Sequence, residues 1–326
     1  MCKKEVFILG AGFSYPAKMP LQNKLLEEIL KNKDLEYLNY YAKIEEFLDY
    51  FFNGSFDLED IFTILDRSYL YEENFSHLKW TDTYEIRKNL IFLIVNLIDR
   101  KLNDLNTFKV KYENFIKYIC KNYKKVSVIT LNWDTLLEKL VKNLCKNIMI
   151  DYCFYTYGLD NMQHIPHINL KAKGEKNLKI IKLHGSINWL FCPNCHRLIV
   201  DDKKIESIGK LNQKCKYCQD YSKIDVSLKN FIVTPTILKK FDNLHLKYIW
   251  NNAFIELQEA SKVTFIGYSL PKADYEFLYL LKKVLIDKYI KVVLAPIDKN
   301  SETHTRYEKF FKDVEFCFDG FEKCPI

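Results

Sequence analysis

Glycine and proline are scarce in this chain, at 9 and 8 residues out of 326. With so little of either, no Ser/Gly-rich linker or low-complexity stretch interrupts the sequence, and disorder is not the default for any part of it. A long apolar run is also missing. The longest, Leu90 to Ile98, is broken by Asn96 and is far too short to span a bilayer. No internal repeat stands out at solenoid periods. At the N-terminus, Met1-Cys2-Lys3-Lys4-Glu5 leads straight into an apolar segment and leaves no room for a secretory signal. These absences predict a cytoplasmic chain with no membrane partner.

What is present is core-forming material. Hydrophobic residues make up 48% of the chain and aromatics 15%, enough for one large domain or two ordinary ones. The formal net charge of +7 is spread over many lysines, with small clusters at Lys121 to Lys125 and Lys171 to Lys179. We read these as solvated faces, so direct nucleic-acid binding is not expected. Of ten cysteines, Cys2, Cys120, Cys145, Cys153, Cys317 and Cys324 are scattered and expected to be reduced.

Periodicity divides the chain. Apolar runs at Val6 to Leu9, Val126 to Leu131, Ile180 to Leu183, Phe231 to Thr234, Val263 to Gly267, Val292 to Ala295 and Val314 to Phe318 read as strands. Helical spacing fills Leu21 to Leu30, most of 34–122, Thr135 to Leu144, and about 238–260 and 273–288. A crossover needs only a dozen or so residues, so 34–122 is read as a helical insertion. Residues 151–178, rich in Tyr, His and Asn, read as a loop lining a cleft. The fold class expected is α/β: a Rossmann-like doubly wound parallel sheet with a large helical insertion and a small four-cysteine zinc ribbon at 190–222.

Short polar motifs follow several strands. Gly10-Ala11-Gly12-Phe13-Ser14 has the start of a phosphate-binding turn, with glycines that let backbone approach a pyrophosphate; alone it equally fits a plain tight turn. In Thr130-Leu131-Asn132-Trp133-Asp134, Asp134 can cap the next helix. Asn132 has no capping role and suits a ribose or a water. His184, before Gly185, has a side chain suited to general-base work near neutral pH. Gly267-Tyr268-Ser269-Leu270 precedes a helix opened by Asp274 and suits either a nucleotide or a simple strand-to-helix connection. Asp298 is a candidate for an adenosine ribose. Cys192, Cys195, Cys215 and Cys218 form C-x2-C-x19-C-x2-C, the spacing of a structural tetrahedral Zn2+.

Taken in order, these motifs resemble the sirtuin (silent information regulator) superfamily. The resemblance covers about 1–32, 124–146, 178–270 and the last strands, as parts of one NAD-binding domain spanning 1–326. It implies NAD+ as substrate and structural Zn2+. Gly10, Ala11, Gly12, Phe13 and Ser14 would hold the pyrophosphate and nearby ribose, together with Gly267, Tyr268, Ser269 and Asp298. Asp134 would line the nicotinamide-ribose pocket, and Asn132 and His184 would be catalytic.

Two departures point to one branch. Met19-Pro20-Leu21-Gln22 stands where deacylases carry Asp-Phe-Arg, and Val233-Thr234-Pro235-Thr236 stands where they carry a peptide-pairing Phe-Gly-Glu. The turn Gly267 to Pro271 with Asp274, and Asp57-Leu58-Glu59-Asp60, are similar to bacterial sirtuin-like NAD hydrolases of antiphage defence. The resemblance implies an NAD+ hydrolase giving nicotinamide and ADP-ribose. It would be restrained as a homo-oligomer or by a partner such as an ATPase or an Argonaute-type sensor. The intact four-cysteine ribbon keeps an NAD-dependent protein deacylase open, and a non-catalytic NAD or ADP-ribose sensor is the third reading.

Overall fold

In chain order the elements are β1 (Lys4–Leu9), α1 (Ala11–Ser14), α2 (Gln22–Lys31), α3 (Leu38–Phe52), α4 (Leu58–Tyr71), α5 (Trp80–Leu102) and α6 (Lys109–Lys121). Next come β2 (Val126–Thr130), α7 (Leu136–Leu144), β3 (Met149–Asp151), β4 (Asn177–Lys182), β5 (Gly185–Phe191), β6 (Leu198–Val200) and β7 (Lys229–Ile232). The chain closes with α8 (Leu244–Glu259), β8 (Ala260–Ile266), α9 (Tyr275–Val284), β9 (Tyr289–Val293), α10 (Glu302–Phe310) and β10 (Glu315–Cys317). The computed structural model describes residues 4–52, 57–103, 109–154, 176–200, 213–239 and 241–324.

Seven of the strands form one parallel sheet in the order β10-β9-β8-β1-β2-β4-β3. The central strands are continuous apolar runs because parallel strands are covered on both faces. Val6, Phe7 and Ile8 are fully buried, as are Val128, Ile129, Ile180 and Ile181. Sequence order reverses at β1, which has β2 on one side and β8 on the other. That is a topological switch point, where open α/β sheets leave a crevice beyond the carboxyl ends of the strands.

Register aligns the ends. Leu9 pairs with Thr130 and with Ile266, and Thr130 pairs with Lys182. The residues that follow each of these four therefore leave the sheet along one edge. The expected doubly wound parallel sheet is the one observed.

The chain divides into two compact units, one of 1–19, 102–186 and 241–326 and the other of 20–101 and 187–240. The first contains the seven-stranded sheet. The second holds α2, α3, α4 and most of α5, with a three-stranded sheet ordered β6-β5-β7. Its helices bury one stripe each, such as Tyr41, Ile44, Phe47 and Leu48 on α3 and Ile61, Phe62 and Leu65 on α4. Asp57 caps α4 by accepting from the Glu59 N–H at 2.9 Å.

Several expectations are corrected. The strand read at Phe231 to Thr234 is β7, which ends at Ile232 and lies in the small sheet, because the next residues are claimed by α4. Thr234 Oγ1 donates to Asp66 at 2.7 Å, Asp66 also pairs with Arg87, and the Ile237 N–H donates to Thr63 Oγ1 at 3.1 Å. Strands β3, β5 and β6 were not expected. Of these, β3 and β6 are too short for periodicity to register, while only two residues separate β5 from β4. The cysteines expected to be reduced include Cys317 and Cys324, which form a disulfide with Cα atoms 6.2 Å apart. Gly320, at φ +77°, turns the chain back between them. Most of the loop read at 151–178 lies outside the described residues. Among the described residues, no helix is long and apolar enough to cross a membrane.

Candidate active site

The glycines are set by the packing of one turn on another. A methyl group on Gly10 would lie 2.6 Å from the Gly267 carbonyl oxygen, and one on Gly12 would lie 2.7 Å from Gly267 Cα. Gly267 itself sits at φ +60°, and a side chain there would meet the Gly12 backbone at 2.4 Å. The turns after β1 and β8 thus touch backbone to backbone, which only glycine permits. The Gly10 N–H donates to the Ile266 oxygen at 3.1 Å, Gly12 to the Gly267 oxygen at 2.9 Å, and Phe13 to the Gly10 oxygen at 2.9 Å. These three donors already serve the fold, so a phosphate would have to share them.

One hydrogen-bonded chain links the first two motifs. Asn132 Nδ2 donates to the Gly10 carbonyl at 2.9 Å and to Ser14 Oγ at 3.1 Å. Ser14 Oγ in turn donates to Asp134 Oδ2 at 2.8 Å. The other oxygen of Asp134 accepts the Leu136 N–H at 3.0 Å, so Asp134 holds the first amide of α7, one residue before its N-cap Thr135, and orients Ser14 at once. Asn132 and Asp134 are half-buried, open enough to meet a ligand. Beneath them Lys182, with a side chain fully out of solvent, donates to the Asp134 carbonyl at 2.5 Å and to Glu138 at 2.9 Å.

His184 stands in the two-residue turn between β4 and β5, and Gly185 has φ +73°. The glycine is therefore needed by the turn itself. His184 Nε2 lies 3.5 Å from Asp274 Oδ1, and Asp274 Oδ2 accepts from the Tyr268 hydroxyl at 2.9 Å. Burial, then the Asp274 carboxylate, hold the Tyr268 phenol well above its usual pKa, so it remains a donor. Tyr307 fixes the same turn by donating to the Tyr268 carbonyl at 2.7 Å.

The expected site residues divide accordingly. Gly10, Gly12, Ser14, Asn132 and Asp134 form one bonded group with Gly267 packed against it, and His184 joins Tyr268 through Asp274. Ala11 and Ser269 are exposed beside their turns. The Phe13 side chain is 1% exposed and packs on Tyr112, Phe115 and Phe321, with ring centroids 5.0 to 5.5 Å away. Asp298 serves its own turn, accepting from the Ala295 N–H at 3.2 Å. Lys182 and Glu138 were missed. A charge in an apolar strand is the signal that could have found Lys182, since a fully buried lysine requires a partner.

In the second unit the Sγ atoms of Cys192, Cys195, Cys215 and Cys218 all lie within 4.8 Å of one another. Burial drives the Cys192 and Cys215 thiols to higher pKa, opposing thiolates unless a cation is bound. At Cys195 burial acts the same way but the Arg197 guanidinium outweighs it, lowering the thiol. The Cys195 N–H and the Asn194 amide point at sulfurs of Cys192 and Cys218, at 3.5 and 3.4 Å, as supports of a metal thiolate do. Four soft donors at this spacing fit a tetrahedral zinc ion.

No family model matches the chain, and no curated protein does. Solved structures do align with it. One described as "Structural Basis for the Mechanism and Regulation of Sir2 Enzymes" is 14% identical, with 99% of this chain and 88% of that chain covered and a TM-score of 0.44. Sir2 with a p53 peptide and NAD+ is 13% identical, with 97% and 88% covered and a TM-score of 0.42. A Sir2 homologue variant in complex with ADP-ribose is 13% identical, with 98% and 88% covered and a TM-score of 0.44. At TM-scores this low, function has to be argued from the site itself.

Proposed function

We propose that this chain is a sirtuin-superfamily NAD+ hydrolase that cleaves the nicotinamide–ribose bond to give nicotinamide and ADP-ribose. The observation that carries the reading is the hydrogen-bonded chain Asn132–Ser14–Asp134 built on the Gly10–Ser14 turn. It gathers, at one sheet edge, the motif residues whose order resembles that superfamily. The turn holds the pyrophosphate, Asn132 positions the attacking water as an oxocarbenium-like ribosyl centre develops, and His184 interacts with the ribose hydroxyls as base.

Water rather than acyl-lysine is the acceptor in this reading because of where Val233 to Thr236 goes. The segment that replaces the deacylase peptide-pairing strand is tied to α4 through Thr234–Asp66, and the residue after it, Ile237, is tied there through Thr63. The four-cysteine cluster favours the deacylase alternative, since such a ribbon is a deacylase trait in the resemblance. Cys192, Cys195, Cys215 and Cys218 would hold a structural Zn2+ that staples the 190–222 ribbon and takes no part in the chemistry.

A cell must restrain such an activity. We therefore assign the chain as an NAD-depleting effector in antiphage defence, held off as a homo-oligomer or by a sensor or ATPase partner. The test is NAD+ turnover by the chain with its native partner, resolving nicotinamide, ADP-ribose and acyl-ADP-ribose. His184→Ala and Asn132→Ala should each lower turnover by about two to four powers of ten while leaving the fold intact. Full activity in both variants overturns the assignment. NAD+ consumption only with an acylated peptide moves it to a deacylase, and binding without turnover moves it to a sensor.

A further inference from the structure

From the sequence Asp274 opens a helix and belongs to the Gly267 to Pro271 turn of the resemblance, with no role in the chemistry assigned to it. In the structure it is 7% exposed at the start of α9, and each of its oxygens faces a polar group. Oδ2 accepts the Tyr268 hydroxyl at 2.9 Å, and Oδ1 lies 3.5 Å from His184 Nε2. A carboxylate only accepts, so in a hydrogen bond between the two it is the imidazole nitrogen that carries the proton. The distance is that of an open site, in which catalytic hydrogen bonds are often long and tighten on ligand binding.

The carboxylate is itself held from behind. Tyr268 is buried, its ring lies against Phe277 and Phe265, and its carbonyl takes the Tyr307 hydroxyl at 2.7 Å. The chain Tyr307–Tyr268–Asp274–His184 therefore runs from α10 through the β8 turn and α9 to the β4 turn.

We propose that Asp274 is a positioning residue, which fixes neutral His184 as the Nε2–H tautomer and leaves Nδ1 as the unprotonated ring atom. Tyr268 is the group that sets the rotamer of Asp274. This rests on the reading of His184 as the base in NAD+ cleavage. Its logic is that of any base oriented by a third group, where the wrong tautomer removes activity without moving the ring.

The experiment is long-range 1H–15N spectroscopy of the full chain labelled at histidine, with the His184 signals assigned by their loss in His184→Gln. Above the titration of the ring, the wild type should show a protonated Nε2 and a bare Nδ1. Asp274→Asn should lose that single tautomer and lower kcat for NAD+ about 10²- to 10³-fold, with KM changed by less than about threefold. Tyr268→Phe should keep the tautomer and lower kcat about tenfold.

An Nδ1–H tautomer in the wild type overturns the proposal, whether or not Asp274→Asn folds. So does an Asp274→Asn variant with the wild-type spectrum and kcat. A wild type that shows the Nε2–H tautomer but cleaves no NAD+ with its native partner supports the positioning and sinks the NAD+ reading. Cleavage with an Nδ1–H His184 sinks the positioning alone.

Discussion

Two residues show how far local chemistry constrains the site. Gly267 combines a left-handed φ of +60° with a neighbour 2.4 Å from where a Cβ would be, so strain and collision add. Gly267→Ala should cost about 3 kcal/mol or more, seen as a lower melting temperature with the Gly10 turn displaced. An alanine variant as stable as wild type would mean the two turns do not touch as described. Lys182 is the opposite case, a charge made tolerable only by its partners. Lys182→Met leaves Glu138 buried beside no cation and should destabilise by about 3–5 kcal/mol. Lys182→Met combined with Glu138→Leu should be more stable than Lys182→Met alone, because removing both charges removes the uncompensated one. Denaturant unfolding of the two single variants and the double variant decides this, and strictly additive losses would refute the pairing.

At the scale of elements, α8 is fastened to the sheet by a buried carboxylate. Glu256, 1% exposed, lies 2.6 Å from both Lys4, which opens β1, and Lys179, within β4. Burial pushes its pKa up, but the bonds from Lys179 and Lys4 outweigh that and leave it below the usual carboxylate range. The unfolded chain then binds the proton more readily than the folded one. The stabilisation is complete above the ordinary glutamate value of about 4.3 and disappears as pH falls through the lower folded value. Urea midpoints of the wild type should drop as pH is lowered from about 5 toward 3, and Glu256→Gln should be weaker at pH 7 and flatter over that window. Equal slopes in the two proteins would remove Glu256 from the account. Elements also differ in how readable they are from sequence. Buried parallel strands such as Val126–Thr130 are legible because both faces need apolar residues. The end of β7 is not, because it is set by an Asp66–Thr234 bond between residues 168 apart.

For the whole molecule, the parallel sheet and the shared edge of Gly10, Asn132 and His184 follow from runs and turns that a reader of the sequence can find, whereas the short β3 at its border does not. The Asp274–His184 and Lys182–Glu138 pairs do not, since nothing local announces which buried charges will meet. The four cysteines are an intermediate case: spacing names the ligands, and the structure adds that the sulfurs converge and that burial disfavours bare thiolates at Cys192 and Cys215. A metal would remove that conflict, so folding of the second unit and metal binding should be linked. The purified chain should carry one zinc per molecule. A strong chelator should release it, lower the melting temperature, make the four thiols reactive, and open 190–222 to protease. Cys215→Ser should reproduce these effects without chelator. The rival arrangement is a pair of redox dithiols, with the Cys192–Cys218 and Cys195–Cys215 sulfurs 3.5 and 3.7 Å apart and ready to oxidise. It predicts a metal-free protein whose melting temperature ignores the chelator and rises on oxidation, and that result would overturn the zinc assignment.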